Sequence, residues 1–271
     1  MAFDLSAYLD RLSLPEPGTG REGLARLHFA HMSHIPFENT APLLERIPSL
    51  EPAALMDKLV RRRRGGYCFE HNGLYGLALA ELGHTARPLL ARVRNGAPVG
   101  GARTHQAWLV EIDGETWMSD VGFGGHAPLA PIPYRTGEAF EVPNGRYRFV
   151  TDPTTGETVL ERLSGTDWTS LWGYDGVPVP QIDIEAANIV TACWDKAPFR
   201  ANLMAAFHGP RGRVTLFNRA FSRGLPPDLE TRLLEDAGDL ARVLSIDFTL
   251  DLDDGDISAI WDKIKGAPVG R

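Results

Sequence analysis

The order of patterns along the chain predicts an α+β fold rather than a wound parallel sheet. Three observations carry this reading. Apolar residues recur at helical spacing through the first third. The middle is made of short runs rich in Trp, Val, Ile and Leu, broken by turn dipeptides. Helical spacing then returns near the C-terminus. Neither standard Gly-rich phosphate fingerprint occurs.

Leu5, Tyr8, Leu9 and Leu12 fall at i, i+3, i+4 and i+7, which predicts a first helix. A break follows at residues 15–20. Leu24, Leu27 and His31 continue a second helical face that ends near Pro36. Ser49 is placed to cap a third helix carrying Leu55, Met56, Leu59 and Val60. A fourth is expected over residues 68–82, with Gly83 ending it. Residues 107–112 and 115–120 read as two strands joined by Asp113-Gly114, a strong two-residue hairpin signal. Residues 146–151 and 158–163 flank a second hairpin turn, and 213–218 read as another strand. Residues 229–243 and 257–265 are helix candidates, the latter capped by Asp254 or Asp256. No internal repeat and no low-complexity linker is present.

The 271 residues carry 28 Lys+Arg against 35 Asp+Glu, a formal charge of -7. Such a balance argues against nucleic-acid binding, which needs a basic footprint. No apolar run is long enough to span a bilayer. Asp4 and Asp10 interrupt any N-terminal signal segment, so the expected location is cytoplasmic. Only two cysteines occur, Cys68 and Cys193, and each also reads as a small buried hydrophobe.

Cys68 follows Arg63-Arg64-Gly65-Gly66-Tyr67. The two glycines allow a sharp turn before the fourth helix. A cysteine at a helix N-terminus feels the positive end of the helix dipole, and Arg61 to Arg64 lie close in sequence. Both effects favour thiolate. The hairpin adds a base. If Asp113-Gly114 is a two-residue loop, Ile112 pairs with Glu115, Ala107 faces Asp120 and His105 faces Gly122. His105 and Asp120 then share a face as diagonal neighbours, close enough for a carboxylate to hold an imidazole. Nucleophile, base and orienting acid form the arrangement of cysteine acyl-transfer enzymes. A His–Asp pair serving stability alone is the competing reading, and a one-residue slip of the loop would destroy the alignment.

Residues 64–70, Thr104-His105, and Ser119-Asp120-Val121-Gly122-Phe123-Gly124 together resemble the arylamine N-acetyltransferase family. So do His28-x-x-His31 and Ile35-Pro36-Phe37-Glu38-Asn39. The resemblance covers roughly the first half of the chain, in the family's order and spacing. It implies a helical bundle over 1–83 carrying the nucleophile, a central antiparallel β-barrel over 84–190 carrying His and Asp, and an α/β lid over 191–271. It makes Cys68 the nucleophile, His105 the base and Asp120 the orienting acid of a cysteine-protease-like triad. Acetyl-CoA acylates the cysteine in that family, and an arylamine or hydrazine takes the acetyl group. The matched motifs assign Phe37 and Phe123 to the acceptor pocket, with core packing as their other role. They assign Thr104 and Gly124 to the acyl donor. No metal is implied. The spacing of His28, His31 and His34 drifts around a helix surface. The arginine run reads as a contact to a CoA phosphate, as a solvated face or, the favoured role, as Arg64 pairing with Glu38.

The sequence also departs from the family. Thr40 follows Asn39 where Leu is usual. The run 191–199 lacks the family's His-Pro and second Ser, and adds Trp194 and Asp195. Asp195 beside a CoA diphosphate would repel it, and Trp194 would narrow the cleft. Acetyl-CoA stays the expected donor. The alternatives are a macrolactam-forming amide synthase fed by an acyl carrier protein, and a non-catalytic binding module of the same fold.

Overall fold

The computed structural model describes residues 3–209, 212–224 and 228–269. Helices α1 (Leu5–Arg11) and α2 (Gly20–His34) bury Tyr8, Leu9, Leu12, Leu24, Leu27 and His31, the faces that the spacing predicts. A short strand β1 (Phe37–Glu38) and one-turn helices α3 (Thr40–Leu43) and α4 (Pro52–Leu55) follow. α4 continues as a π-helical turn over Met56–Arg61. Ser49 is not its cap. Glu51 holds that position, and the Ser49 hydroxyl accepts only from the Glu51 N–H at 3.3 Å. Helix α5 (Cys68–Glu81) ends at Gly83, whose φ of +77° suits glycine.

Strands β2 (Thr85–Val93), β3 (Arg103–Ile112), β4 (Glu115–Ser119), β5 (Ile132–Pro133), β6 (Ala139–Val142), β7 (Gly145–Thr151), β8 (Thr158–Ser164) and β9 (Asp167–Tyr174) form one antiparallel sheet. Its order is β5-β4-β3-β2-β9-β8-β7-β6, and it curls into a nearly closed barrel. Trp172, Tyr147, Phe149 and Leu109 fill the interior. Helix α6 (Gln181–Cys193) follows. A second sheet is built from β10 (Met204–Gly209), β11 (Gly212–Phe217), β12 (Ala220–Arg223) and β13 (Glu230–Leu233), in the order β1-β10-β11-β12-β13. Helices α7 (Ala237–Phe248) and α8 (Asp254–Ile264) cover it through Leu240, Val243, Leu244, Phe248 and Ile260.

Two expectations for this last third are corrected. The stretch 229–243 is not one helix: residues 230–233 are an edge strand, and α7 starts only after Asp236, whose carboxylate caps the Asp239 N–H at 2.8 Å. The cap of α8 is Asp253, accepting from Asp256 N–H at 2.8 Å, rather than Asp254 or Asp256. Among the described residues, no helix is long and apolar enough to cross a membrane.

Candidate active site

The loop before α5 is shaped by close backbone approach. A Cβ on Gly65 would lie 2.3 Å from the Pro36 carbonyl oxygen, a distance no side chain tolerates. That closeness lets Gly66 run beside β1: the Glu38 N–H donates to the Gly66 carbonyl at 2.7 Å. The Glu70 carboxylate accepts from the Tyr67 N–H at 3.2 Å, closing the helix start. Lys58 Nζ holds the same carboxylate at 2.7 Å and reaches Glu38 at 3.7 Å. Arg64 also stands 3.7 Å from Glu38, the expected pair, and donates to Thr40 Oγ1 at 3.2 Å. Cys68 is thereby fixed as the first residue of α5, 4% exposed.

The hairpin has the register that its turn dipeptide predicts. Asp113 and Gly114 have φ of +52° and +79°, and Ile112 pairs with Glu115. The ladder stops at Trp108 and Ser119, so Asp120 leaves the strand. Its Oδ2 accepts from His105 Nε2 at 2.7 Å. Its Oδ1 accepts from the Gly122 N–H at 3.0 Å and from Asn72 Nδ2 at 3.3 Å. Burial opposes this carboxylate's charge, but His105 and the donated hydrogen bonds prevail and lower its pKa. With Nε2 committed to Asp120, Nδ1 of His105 is the nitrogen left to exchange a proton.

Between β2 and β3 the register shifts: Ala91 faces His105, and Arg92 faces Arg103. Thr104 is thus an extra, bulged residue, and its carbonyl turns to accept the Cys68 S–H at 3.7 Å. Gly122 packs on Cys68 from the other side, where a Cβ would lie 2.9 Å from Cys68 Cα and 2.5 Å from Asn72 Nδ2. Asn72 stands one turn after Cys68 on α5 and also donates to the Gln106 carbonyl at 2.7 Å.

The thiolate expectation is corrected in its cause. Burial is the largest influence on Cys68 and pushes its thiol above the ordinary value, and the Asp120 charge pushes the same way. Backbone N–H groups of Gln106, Phe69 and Cys68 pull partly back, as a helix start should. The arginines do not contribute: Arg61, Arg62 and Arg63 are exposed to water and Arg64 faces Glu38. Ionisation of Cys68 therefore depends on a proton acceptor at its side.

Cys68 and His105 border a cavity of about 720 Å³ together with Phe37, Phe123, Thr104 and Gly124. Those six residues are thus brought to one place, with Asp120 behind His105. The Phe123 ring meets the His105 ring edge to face at 4.8 Å. Phe37 stacks on His71 and touches Phe199. Sequence reading missed Asn72, although its i+4 position from Cys68 on a helix face was a signal. It also missed Lys196 and Arg213, which line the cavity.

The three histidines of α2 are taken up by hydrogen bonds. His28 bonds Ser119 Oγ and the Pro128 carbonyl, each at 2.9 Å. His31 bridges Tyr8 and His71 at 2.7 and 2.9 Å, and His34 bonds the Ala30 carbonyl at 2.9 Å. The run 191–199 differs from expectation at Asp195, which is exposed and ion-paired with Arg200 at 3.2 Å. Trp194 and Lys196 border the cavity there. The charge facing the cleft from this run is therefore positive. Cys193 is exposed rather than buried, and both cysteines are free.

The model of the N-acetyltransferase family matches residues 22–257. An arylamine N-acetyltransferase / N-hydroxyarylamine O-acetyltransferase of Salmonella typhimurium is 38% identical over 226 residues, 82% of this chain and 80% of the relative. The chain belongs to the arylamine N-acetyltransferase family. This acyltransferase also shares its fold with the Mycobacterium marinum arylamine N-acetyltransferase solved in complex with CoA. That match has a TM-score of 0.89 and 34% identity, over 96% of this chain and 99% of that one. A more distant relative, the proansamycin X synthase of Amycolatopsis mediterranei, is 28% identical over 181 residues, 65% of this chain and 69% of the relative.

Proposed function

We propose that this enzyme transfers an acetyl group from acetyl-CoA to an arylamine or hydrazine nitrogen, in two steps through a thioester on Cys68. The observation that carries the proposal is the buried His105–Asp120 pair, 2.7 Å apart, whose imidazole borders the same cavity as Cys68. In the first step Cys68 Sγ attacks the acetyl carbonyl while its proton passes to His105 Nδ1. The CoA thiolate leaves and takes that proton. In the second step the amine attacks the Cys68 thioester and gives a proton to Nδ1. The Cys68 thiolate leaves and recovers it. Asp120 keeps the imidazole in the tautomer that frees Nδ1 and stabilises the imidazolium. A backbone N–H at the start of α5 is placed to stabilise the oxyanion.

Thr104 and Gly124 flank the donor, and Phe37 and Phe123 the acceptor ring. All four border the cavity, which supports these roles. Lys196 on the cavity rim is compatible with an anionic donor. The deciding experiment is intact-mass measurement after incubation with acetyl-CoA. A gain of one acetyl group is expected, and its absence in Cys68→Ala. Turnover by Cys68→Ala would overturn the covalent route. Likeness to proansamycin X synthase supports a second reading, macrolactam formation from a carrier-bound chain. Acylation by a long-chain N-acetylcysteamine thioester but not by acetyl-CoA would put that reading first.

A further inference from the structure

Helix α6 is apolar on two opposite sides. Ile184, Ala187, Asn188, Thr191 and Ala192 are buried against the rest of the molecule. With about 3.6 residues per turn, Ile182, Ala186, Ile189, Val190 and Cys193 form a second stripe. That stripe lies directly opposite the first and is open to water. Ile182 is 67% exposed and Ile189 49%, and Trp194, just after the helix, is 43% exposed. A surface helix ordinarily keeps that side polar. Single exposed apolar side chains are common, but a contiguous stripe along a whole helix marks a contact surface.

The charges beside the stripe indicate its partner. Asp183 and Glu185 flank it at the N-terminal end, one on each side. Lys196 stands in the turn after its C-terminal end. All three are exposed, and none has an ion-pair partner among the described residues. Glu185 takes a long bond from Gln181 at 3.5 Å, and Lys196 lies 5.6 Å from the Trp194 ring centroid. Asp195, next to Lys196, is already paired with Arg200. Acid at one end and base at the other fit an antiparallel copy of the same helix. An anionic membrane surface would be repelled by the two acids. One register serves the whole stripe. With Ile189 set against Val190 of a second copy, Ala186 falls opposite Cys193, and Asp183 falls at the level of Lys196, since each pair of numbers has the same midpoint. The small Ala186 and Cys193 let the helices approach closely.

We infer that α6 is the interface of a two-fold homodimer, its outward stripe packed antiparallel on the same stripe of a second copy. Its 13 residues span about 20 Å, so the interface is small and the dimer depends on concentration. Trp194 and Lys196 also border the catalytic cavity, so the start of the second copy's α6 stands at the cavity rim.

Sedimentation equilibrium of the full chain over a range of concentrations tests this. Wild type should pass from monomer to dimer. Ile189→Asp places a carboxylate in the seam twice and should raise the dissociation constant at least about a hundredfold, with circular dichroism confirming the fold. Asp183→Lys should raise it about tenfold, and adding Lys196→Asp should restore the wild-type value, because the charges have only traded places. In Cys68→Ala, iodoacetamide labelling of Cys193 should slow as concentration rises. A chain that stays monomeric overturns the inference, and so does a dimer that Ile189→Asp leaves intact. A double variant no tighter than Asp183→Lys overturns the antiparallel register. A monomer that binds phosphatidylcholine vesicles through Ile189 assigns the stripe to a lipid surface and overturns the inference as well.

Discussion

Replacing Asp120 by Asn changes one buried atom and tests the whole relay. The carboxylate is fully buried, 2.7 Å from His105 Nε2, and its second oxygen accepts from Gly122 and Asn72. Asn keeps the volume and can keep that second acceptor. Its amide then points an N–H at Nε2, which forces the imidazole proton onto Nδ1. The nitrogen meant to receive the Cys68 proton is occupied. The charge that steadies the imidazolium is lost as well. With 2.7 Å as the separation and an effective dielectric of about 20, Coulomb attraction is at most about 6 kcal/mol. A tenfold rate change corresponds to about 1.4 kcal/mol, so the loss is bounded near four decades. In serine proteases the corresponding Asp→Asn replacement costs a similar amount, about 10⁴. The assay is single-turnover acetylation of Cys68 followed by mass, with circular dichroism to check the fold. A folded Asp120→Asn variant that acylates within tenfold of wild type would refute the relay.

His105→Gln should leave Cys68 a buried, protonated thiol, since burial and Asp120 both oppose its ionisation. Iodoacetamide labelling at neutral pH should then drop to background, and labelling at the wild-type rate would show that the histidine is not the proton acceptor. Acid should destabilise the helical bundle: burial pushes His28 and His71 to about 4, and His31 well below 6.5. Their folded-state values are depressed, so stability is full above the unfolded value of about 6.5 and is lost as pH falls toward 4, about 3 kcal/mol for each histidine at about 4. Tm should be flat above pH 7 and fall steeply below 6.5; a constant Tm down to pH 5 would contradict this. Gly76→Ala would set a Cβ 2.0 Å from Trp108 Cζ2, whose indole donates to the Asn72 carbonyl at 2.8 Å. Overpacking of this kind costs about 1–3 kcal/mol, so Tm should drop by several degrees; an unchanged or higher Tm would contradict the packing.

The placing of Cys68, His105 and Asp120 was legible because much of it is set locally. A two-residue turn sets the pairing of β3 with β4, and a Gly-Gly turn sets Cys68 at a helix start. What stayed hidden depends on distant chain. Helix α6 has Ile184 and Ala187 buried but Ile182, Ile189 and Val190 exposed, so no single apolar stripe announces it. Leu229 and Leu233 stand four apart like a helix face, yet both are largely exposed, and residues 230–233 form an edge strand. The bulge at Thr104 has no residue signature, since it is a register shift against β2. Arg213 belongs to a strand whose relation to the triad only the second sheet reveals.

The pairing of β1 with β10 sets an order on assembly. Phe37 and Glu38 lie beside Ala206 and Ala205, and Asn39 clamps the Phe199 and Asn202 carbonyls at 2.9 and 2.8 Å. During synthesis Cys68, His105 and Asp120 emerge by residue 120, while strand β10, which borders the same cavity, begins at Met204. A chain made only to residue 120 therefore holds Cys68, His105 and Asp120 without Met204, Ala205 and Ala206, which border the cavity beside them. Closing so long a loop is slow relative to forming the hairpin. That side of the cavity is closed only when β10 pairs with β1.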